Sequence, residues 1–347
     1  MVEQKDKKVK KRLWPWIIAV ILLLIGLGQL FTNLYKEEQK TLLSRIRETV
    51  KEKFPEEAAE FSQTIGLFYF KTGQKVSHVT GQFNKSVVLV HGLDDPGKVW
   101  QVLSPELVKQ GLDVWLLHYP NDQPVAESAH LFFNELQQLA RTGTLQISIV
   151  AHSMGGLVAR EMLTSPEMNY KQTTKKRQVP EVTTLIMVAT PNHGSQAARF
   201  RVFGEIRDHL VRMTKGEANW LGTILDGAGE AKIDLLPGSR FLAALNARPH
   251  PKSVEMLIIA GIASPWNEDD IDQWIGKVRQ KVSNGQQEQV DALGKYMISM
   301  THGLGDGLVT VESTRLEGIP HLTVDGTHLS IIRNIIQDSH RIPPSVP

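Results

Sequence analysis

The chain contains the stretch Ile147-Ser148-Ile149-Val150-Ala151-His152-Ser153-Met154-Gly155-Gly156-Leu157, which decides the fold. A run rich in β-branched residues ends at Ser153, and apolar residues at helical spacing begin at once with Leu157. This pattern predicts a strand, a sharp turn and a helix, with the serine at the apex. Such a turn strains the backbone of the serine and leaves almost no room for side chains two positions before and after it. Ala151 and Gly155 meet that demand, so Ser153 is predicted to be a nucleophile rather than part of a chance Ser-x-Gly turn.

An enzyme of this kind also needs donors for a developing oxyanion. The apolar run Ser86 to Val90 ends in His91-Gly92-Leu93, where the glycine lets the backbone turn. We expect the amide of Leu93 to face the space above the serine, and the amide of Met154 to be the second donor. His91 precedes the serine, so it is predicted to organise this loop rather than to act as the base.

The base and the acid are sought after the nucleophile. Four histidines lie far enough along the chain: His302, His321, His328 and His340. We favour His328, which sits in a Gly-Thr turn directly after the last predicted strand. For the acid we favour Asp306, because glycines on both sides let the backbone turn its carboxylate inward. An ordinary Asp-Gly turn is the alternative for that residue, and Asp325 is the competing acid, although its position also suits a cap on the turn.

Five motifs together resemble the α/β-hydrolase superfamily: VVLVHGL at 87–93, AHSMGG at 151–156, ATPNHGS at 189–195, GDGLVTVES at 305–313 and DGTHLS at 325–330. Within that superfamily they are similar to bacterial triacylglycerol lipases and esterases, and also to GPI inositol-deacylases. The resemblance extends over about residues 85 to 335 and implies an α/β fold with a mainly parallel central sheet, helices on both faces and a helical lid. It also implies a triad of Ser153, Asp306 and His328, with oxyanion donors at Leu93 and Met154.

The resemblance implies a serine hydrolase that cleaves carboxylic esters, with a small-molecule or lipid ester as substrate and no cofactor. Bacterial lipases of this type often carry a calcium-binding aspartate two residues after the catalytic histidine, and here that position is Ser330. We therefore expect no metal. An acyltransferase or thioesterase with the same triad, and a non-catalytic scaffold with this fold, remain alternatives.

The N-terminus predicts a membrane anchor. Residues 1–12 contain six basic side chains, and residues 13–32 are apolar enough and long enough to span a bilayer as a helix. Trp14 and Trp16 lie where an aromatic belt is expected. The basic cluster predicts a cytoplasmic N-terminus, which places the catalytic domain on the periplasmic side of a bacterial inner membrane. A cleaved signal peptide is the alternative.

Composition and spacing complete the predicted organisation. The net charge of +2 argues against a nucleic-acid partner, and the absence of cysteine excludes disulfides. Residues 33–64 are predicted to form a helical linker and residues 65–340 the hydrolase domain, with a lid at 199–250. Residues 65–70 and 75–80 are predicted to form a hairpin. Further strands are predicted at 87–90, 114–117, 145–150, 184–189, 256–262 and 322–324, with a helix at 126–140. The sequence leaves the oligomeric state open.

Overall fold

The computed structural model describes residues 55–81, 83–93, 97–120, 123–195, 230–264, 268–280, 284–299 and 305–333, together with Glu52 and Pro343. The predicted segments 1–12 and 13–32, most of the predicted linker 33–64, and residues 199–229 of the predicted lid lie outside these residues. Within the described ranges, no helix combines the length and the apolar character needed to cross a bilayer.

Seven strands form the centre of the fold: β1 (Gly66–Tyr69), β2 (Ser86–Val90), β3 (Asp113–His118), β4 (Gln146–His152), β5 (Glu181–Val188), β6 (Glu255–Gly261) and β7 (His321–Val324). Ten helices accompany them: α1 (Pro55–Gln63), α2 (Leu103–Lys109), α3 (Val125–Arg141), α4 (Met154–Thr164), α5 (Tyr170–Lys175), α6 (Glu230–Asp234), α7 (Arg240–Asn246), α8 (Glu268–Arg279), α9 (Asn284–Ser299) and α10 (Val311–Thr314). Both counts refer to the described residues.

The strands form one sheet in the order β1-β3-β2-β4-β5-β6-β7. Only β1 is antiparallel to its neighbour, and the other pairs are parallel. Every residue of β2 is buried, as expected for a parallel strand covered on both faces. Because parallel strands end at the same edge, the loops after β2, β4, β5, β6 and β7 meet there, which is where α/β sheets bind ligands.

Helices cover both faces of the sheet, and each face has its own apolar core. On one face, α3 and α4 contribute fully buried side chains, among them Phe132, Leu136 and Leu157. On the other face, Trp100, Leu103 and Ile331 belong to a second buried cluster. The 3.6-residue spacing of apolar residues in α3 accounts for its one buried side.

The predicted hairpin is wrong in its second half. β1 pairs with β3, and the chain after the turn contributes only a single bridge, from Lys75 to Phe68. Val76–His78 then form a short 3₁₀ helix, and Val76 is buried in the first core. The chain leaves the sheet here because burying this valine beneath α3 replaces the pairing that an edge strand would have offered. The described structure has a strand at each of the other six predicted positions.

Part of the segment predicted as a lid packs on the hydrolase body. Leu235, Leu242 and Leu245 from the α6–α7 region are buried in the first core. Asp234 also accepts a hydrogen bond from the backbone of Val125, at the start of α3. Residues 230–250 therefore belong to the packed body, and the lid prediction concerns residues 199–229, outside the described part.

Candidate active site

Ser153 stands at the sharp turn between β4 and α4. Its backbone has φ 54° and ψ −127°, a conformation that L-residues rarely adopt. Close packing explains the glycines around it. A Cβ on Gly155 would lie 2.3 Å from the carbonyl oxygen of Val90, and one on Gly156 would lie 2.1 Å from Oγ1 of Thr190. The small residues therefore let the start of α4 approach β2 and the loop after β5.

The structure brings Ser153, His328 and Asp306 together in one hydrogen-bonded line. Nε2 of His328 lies 2.9 Å from Oγ of Ser153, and its Nδ1 lies 2.8 Å from Oδ2 of Asp306. The three residues come from the loops after β4, β6 and β7. Since a carboxylate accepts and cannot donate, Nδ1 of His328 carries the proton and Nε2 accepts from the serine hydroxyl.

The surroundings of Asp306 hold its carboxylate in place. The side chain is 1% exposed, and Oδ1 accepts the backbone N–H groups of Leu308 and Val309 at 2.9 and 2.8 Å. The turn requires a left-handed φ of 94° at Gly307, which is why a glycine follows the aspartate. Asp325, the competing acid, is exposed. The structure therefore presents Asp306 to the histidine.

The loop that carries His328 is tied down on both sides. The N–H group of His328 donates to the carbonyl oxygen of Asp306 at 2.8 Å. Oγ of Ser330 accepts from the N–H group of Thr327 at 2.8 Å. Ser330 thus closes the turn around the histidine. Among the described residues, no group of three or more metal-ligating side chains could hold an ion.

The loop after β2 lies directly beside the nucleophile. A Cβ on Gly92 would lie 2.7 Å from Cβ of Ser153, so only a glycine fits there. Within the described residues, no hydrogen bond engages the amide of Leu93 or of Met154. Met154 is the first residue of α4, where helix amides lack internal partners. The two predicted oxyanion donors are thus without a hydrogen-bond acceptor among the described residues.

His91 holds that loop as a neutral side chain. Its ring stacks on Tyr119 with centroids 4.4 Å apart, and Nδ1 lies 2.8 Å from the carbonyl oxygen of Gly92. The hydroxyl of Tyr119 donates to the carbonyl oxygen of His91 at 2.6 Å. Burial lowers the pKa of His91 to about 4, so the ring is uncharged near neutral pH.

Two features escaped the sequence interpretation. The first is His152, the last residue of β4, whose Nε2 lies 2.8 Å from the carbonyl oxygen of His328. The second is the buried guanidinium of Arg160 on α4, which donates to the side chains of Asn192 and Asn246, both at 2.9 Å. Asn192 in turn donates to the carbonyl oxygen of Thr314. This network connects the helix after the nucleophile to the segment after the acid. An arginine within the apolar α4 was the available signal.

The charge of that arginine is costly to bury. Desolvation lowers the pKa of Arg160 to about 10, with a further contribution from the nearby positive charge of Arg248. Arg248 is itself paired with Glu161. The guanidinium therefore stays charged at neutral pH, and its two amide partners accept hydrogen bonds from it without adding charge.

The fold agrees with a comparison to solved structures. Mature lipase BlEst2 from Bacillus licheniformis superposes with a TM-score of 0.50 at 19% sequence identity, covering 77% of this chain and 92% of that one. The chain has the α/β-hydrolase fold. A domain family of unknown function, DUF7379, matches residues 123–293.

Curated relatives of this chain carry lipase names. Proteins named triacylglycerol lipase from Pseudarthrobacter phenanthrenivorans and from Burkholderia plantarii are each 29% identical over 197 residues, 52% of this chain. The matched region covers 56% of the first protein and 49% of the second, so the chain spans about half the length of the curated relatives it matches. The chain is thus similar in sequence to proteins named triacylglycerol lipase.

Proposed function

We propose that this α/β-hydrolase is a serine hydrolase that cleaves carboxylic esters through an acyl-enzyme. One observation carries the proposal: Nε2 of His328 lies 2.9 Å from Oγ of Ser153, and Nδ1 of the same ring lies 2.8 Å from the carboxylate of Asp306. A hydroxyl is a poor nucleophile until a positioned base removes its proton, and this arrangement supplies that base with its tautomer fixed.

The reaction follows from the positions of these atoms. As Oγ of Ser153 attacks the ester carbonyl, Nε2 of His328 takes the hydroxyl proton, and Asp306 stabilises the resulting imidazolium. The carbonyl oxygen becomes an oxyanion, which the amides of Leu93 and Met154 bind. One such donor is worth roughly 3 to 4 kcal/mol in mutational tests on other enzymes. The alcohol leaves with the proton from the histidine, and water then releases the acid from Ser153 by the same steps.

An ester of a lipid is the substrate class we favour. The lipase names of the curated relatives support it, as does the predicted apolar anchor at residues 13–32, which would hold the enzyme beside lipid. With six basic residues before this span, the catalytic domain is expected on the periplasmic side of a bacterial inner membrane. Residues 199–229 are the proposed lid over the site.

A serine-reactive fluorophosphonate probe tests the chemistry, and the Ser153→Ala variant is the control. We expect covalent labelling of the wild-type protein at Ser153, hydrolysis of p-nitrophenyl esters, and loss of both in the variant. Folded wild-type protein that neither labels nor hydrolyses would leave a non-catalytic scaffold. Labelling without hydrolysis, with acyl transfer to an added alcohol or cleavage of a thioester instead, would indicate the alternative enzymes.

The location is tested separately with a C-terminal tag. In cells with a permeabilised outer membrane, external protease should remove the tag, and the full-length protein should sediment with membranes. A protected tag would place the hydrolase in the cytoplasm. Recovery in the soluble fraction at reduced mass would mean that residues 13–32 are a cleaved signal.

A further inference from the structure

The imidazole of His328 is held by its ring and by its backbone. Asp306 binds the ring at Nδ1 and accepts the backbone N–H group, and Ser153 lies at Nε2. The remaining backbone group, the carbonyl oxygen of His328, accepts a hydrogen bond from Nε2 of His152 at 2.8 Å. His152 is the residue immediately before the nucleophile, so this bond connects the serine turn directly to the loop that carries the base.

The protonation state of His152 follows from its partner. A carbonyl oxygen only accepts, so Nε2 carries the proton and Nδ1 has the lone pair. The side chain is 2% exposed, and Nδ1 has no partner among the described residues. Leaving a buried acceptor unpaired costs about 1 to 3 kcal/mol. Since Nδ1 has no partner there, the hydrogen bond from Nε2 to the carbonyl oxygen of His328 is the one polar interaction of this ring among the described residues.

The ring remains uncharged over a wide pH range. Burial lowers the pKa of His152 to about 3, and the neighbouring groups that can carry positive charge act in the same direction. These groups are the imidazole of His328, with ring centroids 4.9 Å apart, the guanidinium of Arg333 and the imidazole of His91. A neutral donor suits this position, because His328 becomes an imidazolium during the attack and a second positive ring would oppose that charge.

We propose that His152 is a positioning residue, which fixes the base relative to the nucleophile by donating its Nε2 hydrogen to the backbone carbonyl of His328. This inference rests on the proposed serine-hydrolase function. Because the bond goes to the backbone, both ring nitrogens of His328 stay free for Asp306 and Ser153. Without it, the loop after β7 can shift, and a displacement of about 1 Å at reacting groups costs as much as 100-fold in rate.

Two amide variants distinguish the effect of the hydrogen bond from the effect of side-chain volume. In His152→Gln the side-chain amide reaches the place of the imidazole Nε2, whereas in His152→Asn it reaches only the place of Nδ1. His152→Phe keeps the ring volume without a donor. We expect the glutamine variant to retain most of kcat. The asparagine and phenylalanine variants should lose about 10- to 100-fold in kcat with little change in KM.

The pH profile and the thermal midpoint distinguish positioning from stability. The acid limb of the pH profile of kcat/KM reports protonation of the base. For the asparagine and phenylalanine variants, we expect this limb to shift along the pH axis as well. The glutamine variant should restore the wild-type limb. Full kcat and an unchanged limb in a folded phenylalanine variant would overturn the proposal, as would equal losses in the glutamine and asparagine variants.

Histidine NMR on the wild-type protein needs neither turnover nor a folded variant. Nitrogen-15 shifts should show His152 as the neutral Nε2–H tautomer down to about pH 5, below the range in which free histidine titrates. Protonation of His152 above that pH, or the Nδ1–H tautomer, would overturn the positioning role. A wild-type protein inactive toward esters and unreactive with fluorophosphonate would instead refute the proposed function. Active wild-type protein with the wrong tautomer would refute the positioning role alone.

Discussion

Replacing Asp306 by asparagine should nearly abolish turnover while leaving the fold intact. Oδ1 of Asp306 accepts two backbone N–H groups, from Leu308 and Val309, so the asparagine must keep its carbonyl oxygen on that side. Its NH₂ group then faces Nδ1 of His328, where Oδ2 was 2.8 Å away. Two donors cannot share this contact, so Nδ1 must become the acceptor and the proton moves to Nε2.

A histidine with its proton on Nε2 cannot accept the proton of Ser153. By analogy with the same exchange in other triads, we expect kcat to fall by about 10³- to 10⁴-fold, equivalent to roughly 4 to 5 kcal/mol in the activation barrier. Initial rates with a p-nitrophenyl ester, together with the urea midpoint of the variant, measure both parts of the prediction. Asp325→Asn is the matched control and should change kcat little, because Asp325 is exposed. A large loss for Asp325→Asn with near wild-type activity for Asp306→Asn would refute the acid assignment.

Three further predictions concern stability and metal dependence. Burial lowers the pKa of His91 to about 4 and of His152 to about 3, so below about pH 6.5 the unfolded chain takes up protons that the folded protein excludes. The contribution of these two neutral histidines to the free energy of unfolding should therefore be complete above that pH. Toward pH 5 the free energy of unfolding should fall by up to about 1.4 kcal/mol per pH unit for each histidine. Urea midpoints that stay constant from about pH 7 to pH 5 would contradict this. Gly155→Ala should lower the thermal midpoint and kcat together, because the new Cβ would lie 2.3 Å from the carbonyl oxygen of Val90. Overpacking of this kind costs about 1 to 3 kcal/mol. A variant with wild-type melting and activity would contradict the tight packing of this turn. EDTA should alter neither activity nor the thermal midpoint, since Ser330 has no carboxylate at the position where the resemblance to bacterial lipases implies a calcium ligand. A loss restored by added calcium would disprove this.

The sequence alone was sufficient for the features that depend on neighbours in the chain. A strand, a sharp turn and a helix around Ser153 follow from residue size and apolar spacing within eleven positions. The glycine after Asp306 likewise indicates a left-handed turn from adjacent residues alone. Six strands were found at their predicted positions because a buried parallel strand is a continuous apolar run. The hairpin after Tyr69 was mispredicted because the pairing of β1 with β3 and the burial of Val76 depend on distant residues.

Only the tertiary structure decides which distant groups meet. Asp306 and Asp325 were both candidates in the sequence, and the fold distinguishes them by burying the first against His328 and exposing the second. The bond from His152 to the carbonyl oxygen of His328 spans 176 positions, and no local pattern in β4 announces it. The links from Arg160 through Asn192 to Thr314 are equally distant. Local sterics fix the turns, but hydrogen bonds between loops depend on how the sheet brings its strand ends together.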